Sequence, residues 1–348
     1  MFEHYSDSAT LTANLYPRIR YMGSKYKLLP HLAKVFAEVG GQTALDAFSG
    51  SGVVSYLLKR QGFAVTANDM LEFPGVLASA AVVNNSTRLT AANVARITGP
   101  AADDRDFIRE TFTGIFFSPE DLAFLDSAWS HISTMNGDQR ALAISALVLS
   151  AARKQPRGVF TISGDLSSYN DGRRDLRISM RDHFIEHVGD YNRAVFSGPL
   201  AQVTRQEASQ MEARSYDVVY LDPPYAPPSD DNCYIKRFHF LEGLSRYWVG
   251  DTLMMDTRTR KLPKPVTGYS SKRTIVESFR DTFKRFRDAE AIVLSYGSNA
   301  LPDKETITDL LREVKRDVEV RAIPHTYHYG THQAAARRSV DECIFIAR

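Results

Sequence analysis

Apolar and polar positions recur along this chain with two different periods, and the order of those periods predicts the architecture. LLPHLAKVFAEVG (28–40) sets its apolar residues at helical spacing and stops at a glycine pair. TALDAFSGSG (43–52) follows as a short strand running into a glycine-bearing turn. VVSYLLKRQG (53–62) predicts a helix closed by another glycine, and FAVTAND (63–69) a second strand with a polar end. Helix, strand, glycine turn, helix, strand is the order of a doubly wound α/β sheet.

The character changes between about 86 and 195. EDLAFLDSAW (120–129) and QRALAISALVLSAARK (139–154) are helical in pattern, strand candidates are few, and 155–181 is polar, glycine-bearing and arginine-rich. Strands return with SYDVVYL (215–221), AIVLSYG (291–297) and CIFIAR (343–348), with the helical RTIVESFRDTFKRFRDA (273–289) between them. No internal repeat or low-complexity segment interrupts the pattern, and residues 1–18 are an aperiodic polar arm. The expected organisation is one α/β domain split by a largely helical insert: 1–85, the insert 86–195, and 196–348.

Composition changes this picture little. The 348 residues carry a formal net charge of +2, so overall charge names no nucleic-acid partner and only clustering could. Two cysteines, Cys233 and Cys343, are too few for a disulfide scaffold or a cysteine zinc site, and a reducing cytoplasm is the expected setting. The N-terminus lacks the basic start and apolar core of a secretory signal, and no run nears ~20 uninterrupted apolar residues, so no membrane association is expected.

Candidate chemistry gathers at strand ends. In YLDPPY (220–225) the prolines cannot donate to a sheet ladder, so the strand stops at Asp222, with a stiffened backbone and Tyr225 just beyond. In LDAFSGSG, Asp46 ends a strand, and Gly50 and Gly52 let a ligand approach the backbone of the turn. Asp69 ends the next strand close to twenty residues beyond that turn, where an acid that binds ribose hydroxyls is expected. The third glycine of the dinucleotide fingerprint is missing, and at this point NAD and S-adenosylmethionine both fit.

Taken with RYMGSKYKLL (20–29), this set resembles the Dam-like (D12 class) adenine-N6 DNA methyltransferases, in which an F-x-G-x-G turn precedes a D-P-P-Y strand end. The likeness runs over most of the α/β portion, and LSY (294–296) and DECIFIAR look like the family's late strands. It implies a Rossmann-like, S-adenosylmethionine-dependent methyltransferase sheet. Tyr21 and Lys25 would line the cofactor site, Asp46 with the Gly50 and Gly52 backbone would face the methionine part, and Asp69 the ribose. Glu207, or its neighbour Gln206, matches a position near the cofactor's adenine. Tyr21 stands where tryptophan is common, and Ser24 where a second glycine is common.

The chemistry explains the carboxylate. An exocyclic amine is a poor nucleophile because its lone pair is delocalised into the ring, and two acceptors aimed at its hydrogens localise that pair. The Asp222 carboxylate and the Pro223 carbonyl supply them, and Tyr225 is the platform for a base flipped from duplex DNA. Asp222 therefore counts among both the catalytic and the cofactor-site residues. The same site would activate the N4 amine of cytosine, and a catalytically inactive DNA-binding relative is the alternative outside enzymes. Arg157, Arg173, Arg174 and Arg177 of the insert suit phosphate and guanine contacts, although DGRRDLR also alternates sign like an ordinary salt-bridged surface. Lys236 and Arg237 sit among aromatic residues in a stretch read as a DNA-contacting loop. His325, His328 and His332 are close in sequence, but no thiol or carboxylate set accompanies them, and a polar loop is expected rather than a metal site. The expected partner is double-stranded DNA, with a cognate restriction endonuclease acting separately and the chain itself a monomer.

Overall fold

A computed structural model of the protein describes residues 15–156, 158–161, 171–225, 234–265, 267–328 and 337–348. Seven strands form one mixed sheet in the order β3-β2-β1-β4-β5-β7-β6. They are β1 (Thr43–Asp46), β2 (Ala64–Asn68), β3 (Gln202–Thr204), β4 (Val218–Leu221), β5 (Ala291–Gly297), β6 (Val318–His328) and β7 (Arg337–Ala347). The first five pair in parallel, whereas β7 is antiparallel to both β5 and β6. The strand order reverses between β1 and β4, and in an open α/β sheet the crevice beyond the carboxyl ends at that point is the ligand site.

Continuous apolar runs predict the central strands because both faces of this sheet are covered. Alternate residues sort into two cores: Ala44, Val218, Tyr220, Val293 and Ile344 face one way, and Leu45, Val219, Leu221, Ile292 and Phe345 the other. The first core is closed by α1 (Leu29–Val39) and α2 (Val53–Arg60), followed by α3 (Glu72–Ala78) after β2. The second is closed by α11 (Ile275–Arg285) and α12 (Lys304–Arg312).

Between β2 and β3 the regular elements described in the insert are helices: α4 (Ala91–Ile97), α5 (Phe107–Phe112), α6 (Pro119–Ile132), α7 (Gly137–Lys154), the one-turn α8 (Arg174–Arg177) and α9 (Met180–Ala194). The insert is not a detached module. α7 is buried along most of its length in the same core as α1 and α2, and Tyr56 of α2 donates to the Ala194 carbonyl at 2.6 Å.

Two local expectations change. The stretch read as a loop after Tyr225 contains α10 (Tyr234–Arg246), whose Phe238 and Phe240 are fully buried. Phe240 packs at 5.0 Å from both Phe112 and Phe160, so these rings belong to the core. The histidine-bearing tail is also not a loop at its start, since His325 and His328 fall in β6. Arg157, Cys233 and His332 lie outside the described residues. No described helix is long and apolar enough to cross a membrane.

Candidate functional site

The carboxyl ends of β1, β2 and β4 open into a cavity of about 520 Å³. Tyr21, Lys25, Asp46, Gly50, Asp69, Glu207, Asp222 and Tyr225 all line it, so eight of the residues singled out in the sequence meet at one cavity. Pro224 lines it too; Pro223 is buried, and Gly52 turns the chain into α2.

The glycine turn is built by backbone bonds. Ser49 N–H donates to the Asn68 carbonyl at 2.8 Å, Gly52 N–H to Ser49 at 2.7 Å, and Gly50 N–H to Asp69 Oδ2 at 3.0 Å. Gly50 and Gly52 have φ of 48° and 82°, in the left-handed region that glycine adopts without strain. A Cβ on Gly50 would sit 2.9 Å from Tyr21 Cε1, so the turn lies directly against that ring. Tyr21 in turn stacks on Phe238 at 5.0 Å and 4°, which ties the N-terminal motif to α10.

Three carboxyls converge here, and burial raises each of them. Asp46 is pushed up to about 7, pulled back by Ser55, whose hydroxyl donates to Oδ2 at 2.6 Å. Asp46 Oδ1 and Ser49 Oγ are buried with no hydrogen-bond partner among the described residues, which leaves acceptor capacity for a polar ligand. Asp69 rises to about 6 against the N–H groups of Leu71 and Gly50. Asp222 also stands at about 6: burial raises it, the Lys25 ammonium lowers it, and the Glu342 charge adds to the rise. Lys25 Nζ lies 2.8 Å from Asp222 Oδ1, donates to the Gly23 carbonyl at 2.9 Å, and sits 5.1 Å from the centroid of the Tyr225 ring.

Sequence reasoning missed the groups that hold these walls. Buried Asn68 donates to the carbonyls of Ala47 at 2.9 Å and Gln206 at 3.0 Å, while its Oδ1 accepts from Thr204 and Gln206 N–H. It pins the glycine turn to the segment carrying Glu207. Buried Glu242 of α10 accepts from Glu72 N–H at 3.0 Å and Phe73 N–H at 3.2 Å, capping α3 from another part of the chain. Lys264, Thr267, Tyr269 and Lys272 complete the cavity rim. A run of six basic residues without an acid between Asp256 and Glu277 is the signal that could have found the two lysines.

None of the described arginines of the insert lines this cavity. Arg173 pairs with Asp171 at 2.7 Å and donates to the Pro156 carbonyl at 2.8 Å, and Arg174 pairs with Glu186. Arg177 is exposed, and no ion pair to it is found among the described residues. On α10, Lys236 is exposed and Arg237 half-buried, while their neighbours Tyr234 and Ile235 line the cavity. No group of three or more His, Cys, Asp or Glu suited to a metal occurs among the described residues.

Comparison with known proteins bears on this geometry. The family model described as D12 class N6 adenine-specific DNA methyltransferase matches residues 21–289. The type II methyltransferase M2.HphI of Haemophilus parahaemolyticus is 29% identical over 328 residues, covering 90% of this chain and 92% of its own length. The modification methylase StsI of Streptococcus sanguinis is 23% identical, covering 94% of this chain and 51% of its own. The type II methyltransferase M.FokI of Planomicrobium okeanokoites is 22% identical, covering 95% and 53%. The chain thus spans nearly all of the first relative and about half of the other two.

Proposed function

This chain belongs to the D12 class N6 adenine-specific DNA methyltransferase family, and we propose that Asp222, Pro223 and Tyr225 carry its methyl transfer to adenine in duplex DNA. The observation that carries this reading is the Asp222 carboxylate at a strand end, bound by Lys25 at 2.8 Å beside the Tyr225 ring and inside the cavity.

S-adenosylmethionine, when bound, supplies an electrophilic methyl group on a sulfonium. The residues present fit it. The unpartnered Asp46 Oδ1 suits its ammonium, and half-buried Asp69 its ribose diol. Gln206 and Glu207, with Phe48 and Tyr269 packed edge to face at 5.3 Å, suit its adenine. Tyr21, Lys25 and the Gly50 turn close the same wall.

Asp222 accepts a hydrogen bond from the target amine, and the Pro223 carbonyl accepts a second. Together they draw the nitrogen towards tetrahedral geometry and localise its lone pair for attack. Lys25 keeps the Asp222 carboxylate ionised and aimed. Tyr225 offers its face to the base, which must leave the duplex to enter the cavity. These acceptors are set in advance by the proline backbone, so little reorganisation accompanies the step.

In this reading the segments 1–85 and 196–348 form the methyltransferase sheet, and the insert 86–195 reads the DNA sequence. Arg177, exposed and with no ion pair found among the described residues, is its candidate phosphate contact, and Lys236 and Arg237 face the DNA beside the cavity mouth. We extend the reading to a modification role beside a separately acting restriction endonuclease, in keeping with relatives named type II methyltransferase and modification methylase.

The test is labelled methyl transfer to unmethylated DNA, followed by nucleoside digestion. Asp222→Ala should cut the rate by ~10²-fold or more while cofactor affinity holds, as for other lost transition-state acceptors. A variant that methylates at the wild-type rate would refute the assignment.

A further inference from the structure

The Tyr225 hydroxyl is held from a different strand. It donates to Glu342 Oε2 at 2.9 Å. Glu342 is 3% exposed and lies in β7, paired with Gly297 of β5, so β5 separates its strand from β4. The tyrosine ring is boxed on its other sides. Tyr296 meets it edge-on at 4.7 Å and 70°, and Lys25 Nζ stands 5.1 Å from its centroid. Gly297 leaves room for it, since a Cβ there would lie 3.1 Å from Tyr225 Cε2.

A buried carboxylate is costly, and a tyrosine hydroxyl that only needs an acceptor could use a backbone carbonyl or a serine. Spending a carboxylate here yields a short, directional, charge-assisted bond. Such a bond fixes the tilt of the ring, and ring tilt decides whether an extruded base lies flat beside Asp222.

We propose that Glu342 is a positioning residue for methyl transfer, acting through its hydrogen bond to the Tyr225 hydroxyl to hold that ring in the orientation the target base requires. This rests on the assignment of Tyr225 as the base platform. Because Glu342 touches neither the cofactor wall nor the base, its loss acts on kcat rather than on cofactor affinity. Removing either end of the bond removes the same interaction, so the coupling between Tyr225 and Glu342 reads the bond itself, apart from the push that the Glu342 charge gives the Asp222 carboxyl.

The experiment is a double-mutant cycle on the full chain, with unmethylated plasmid DNA and tritium-labelled S-adenosylmethionine. Glu342→Ala and Tyr225→Phe should each lower kcat by ~10-fold with cofactor Kd unchanged, and the double variant should be no more than ~2-fold slower than either, because interacting sites are not additive. Glu342→Gln keeps an acceptor in place and should restore kcat to within ~3-fold of wild type. Multiplicative losses in the double variant, a wild-type kcat for Glu342→Ala, or a Gln variant as slow as the Ala variant would each overturn the proposal. If Glu342→Ala does not fold, Tyr225→Phe decides alone, since a wild-type kcat there also overturns it. Failure of the underlying assignment shows separately, as a Tyr225→Ala variant that methylates normally.

Discussion

Replacing Lys25 by methionine isolates what one buried charge does for the reaction. Lys25 is 5% exposed and its Nζ lies 2.8 Å from Asp222 Oδ1, while methionine keeps the length and packing of the side chain without the charge. At 2.8 Å and an effective dielectric constant near 20, the attraction is about 6 kcal/mol before solvent and neighbours share it. An opposite charge at this range commonly moves a carboxyl by ~1–3 units. Asp222 stands at about 6 with Lys25 present, so Lys25→Met should carry it further up, because the one ammonium that lowers it is gone. Glu342 and Asp46, which face the same carboxylate, favour the rise, and Ser295 opposes it. The acid limb of the rate then moves to higher pH, a loss of about tenfold per pH unit of rise on that limb that narrows towards pH 9.5. Single-turnover transfer of labelled methyl at saturating cofactor, from pH 5.5 to 9.5, reads this directly and excludes product release. An acid limb that coincides with wild type, or a deficit equal at pH 6.5 and 9.5, would show that the ammonium does not set the ionisation of Asp222.

Three further perturbations test other links. The folded Asp46 carboxyl, at about 7, binds a proton the unfolded chain has already lost, so its contribution to stability is present below about pH 4 and disappears as pH rises through 7. Asp46→Asn should therefore melt progressively higher relative to wild type between pH 5 and 8, and a constant difference in Tm would contradict the shift. Gly52→Ala forces a side chain into φ 82° and into the buried Tyr16 hydroxyl, and should cost ~2 kcal/mol or more by urea unfolding; a variant as stable as wild type would mean the turn relaxes freely. In DNA-binding titrations Arg177→Ala should lower the salt slope by about one unit, whereas Arg174→Ala, already paired with Glu186, should change little; equal effects would undo that distinction.

What the sequence disclosed and what it hid divide along a physical line. β1, β2, β4 and β5 were legible because strands covered on both faces read as continuous apolar runs, and Asp46, Asp69 and Asp222 because a polar residue ending such a run is itself a local pattern. β3, three residues long, and β6, whose opening VEVR alternates apolar with polar, carry no such run. Helix α10 was misread because YIKRFHF looks like a basic and aromatic surface; only the fold reveals that Phe238 and Phe240 enter the core while Lys236 stays outside.

The supporting polar groups were invisible for a deeper reason. Asn68 reaches Gln206 across 138 residues of sequence, Glu242 reaches Glu72 across 170, and Glu342 reaches Tyr225 across 117. Nothing around a buried Asn or Glu announces a partner so far away, whereas an unpaired one would be too costly for the fold to keep. Groups that meet the substrate follow from the local chemistry of strand ends, which is contained within a short motif. Groups that hold them exist only once the sheet has brought separate segments together. It follows that transplanting DPPY and the glycine turn onto another α/β sheet would carry over the acceptors but not their aim, because Lys25, Asn68 and Glu342 each come from elsewhere in the chain.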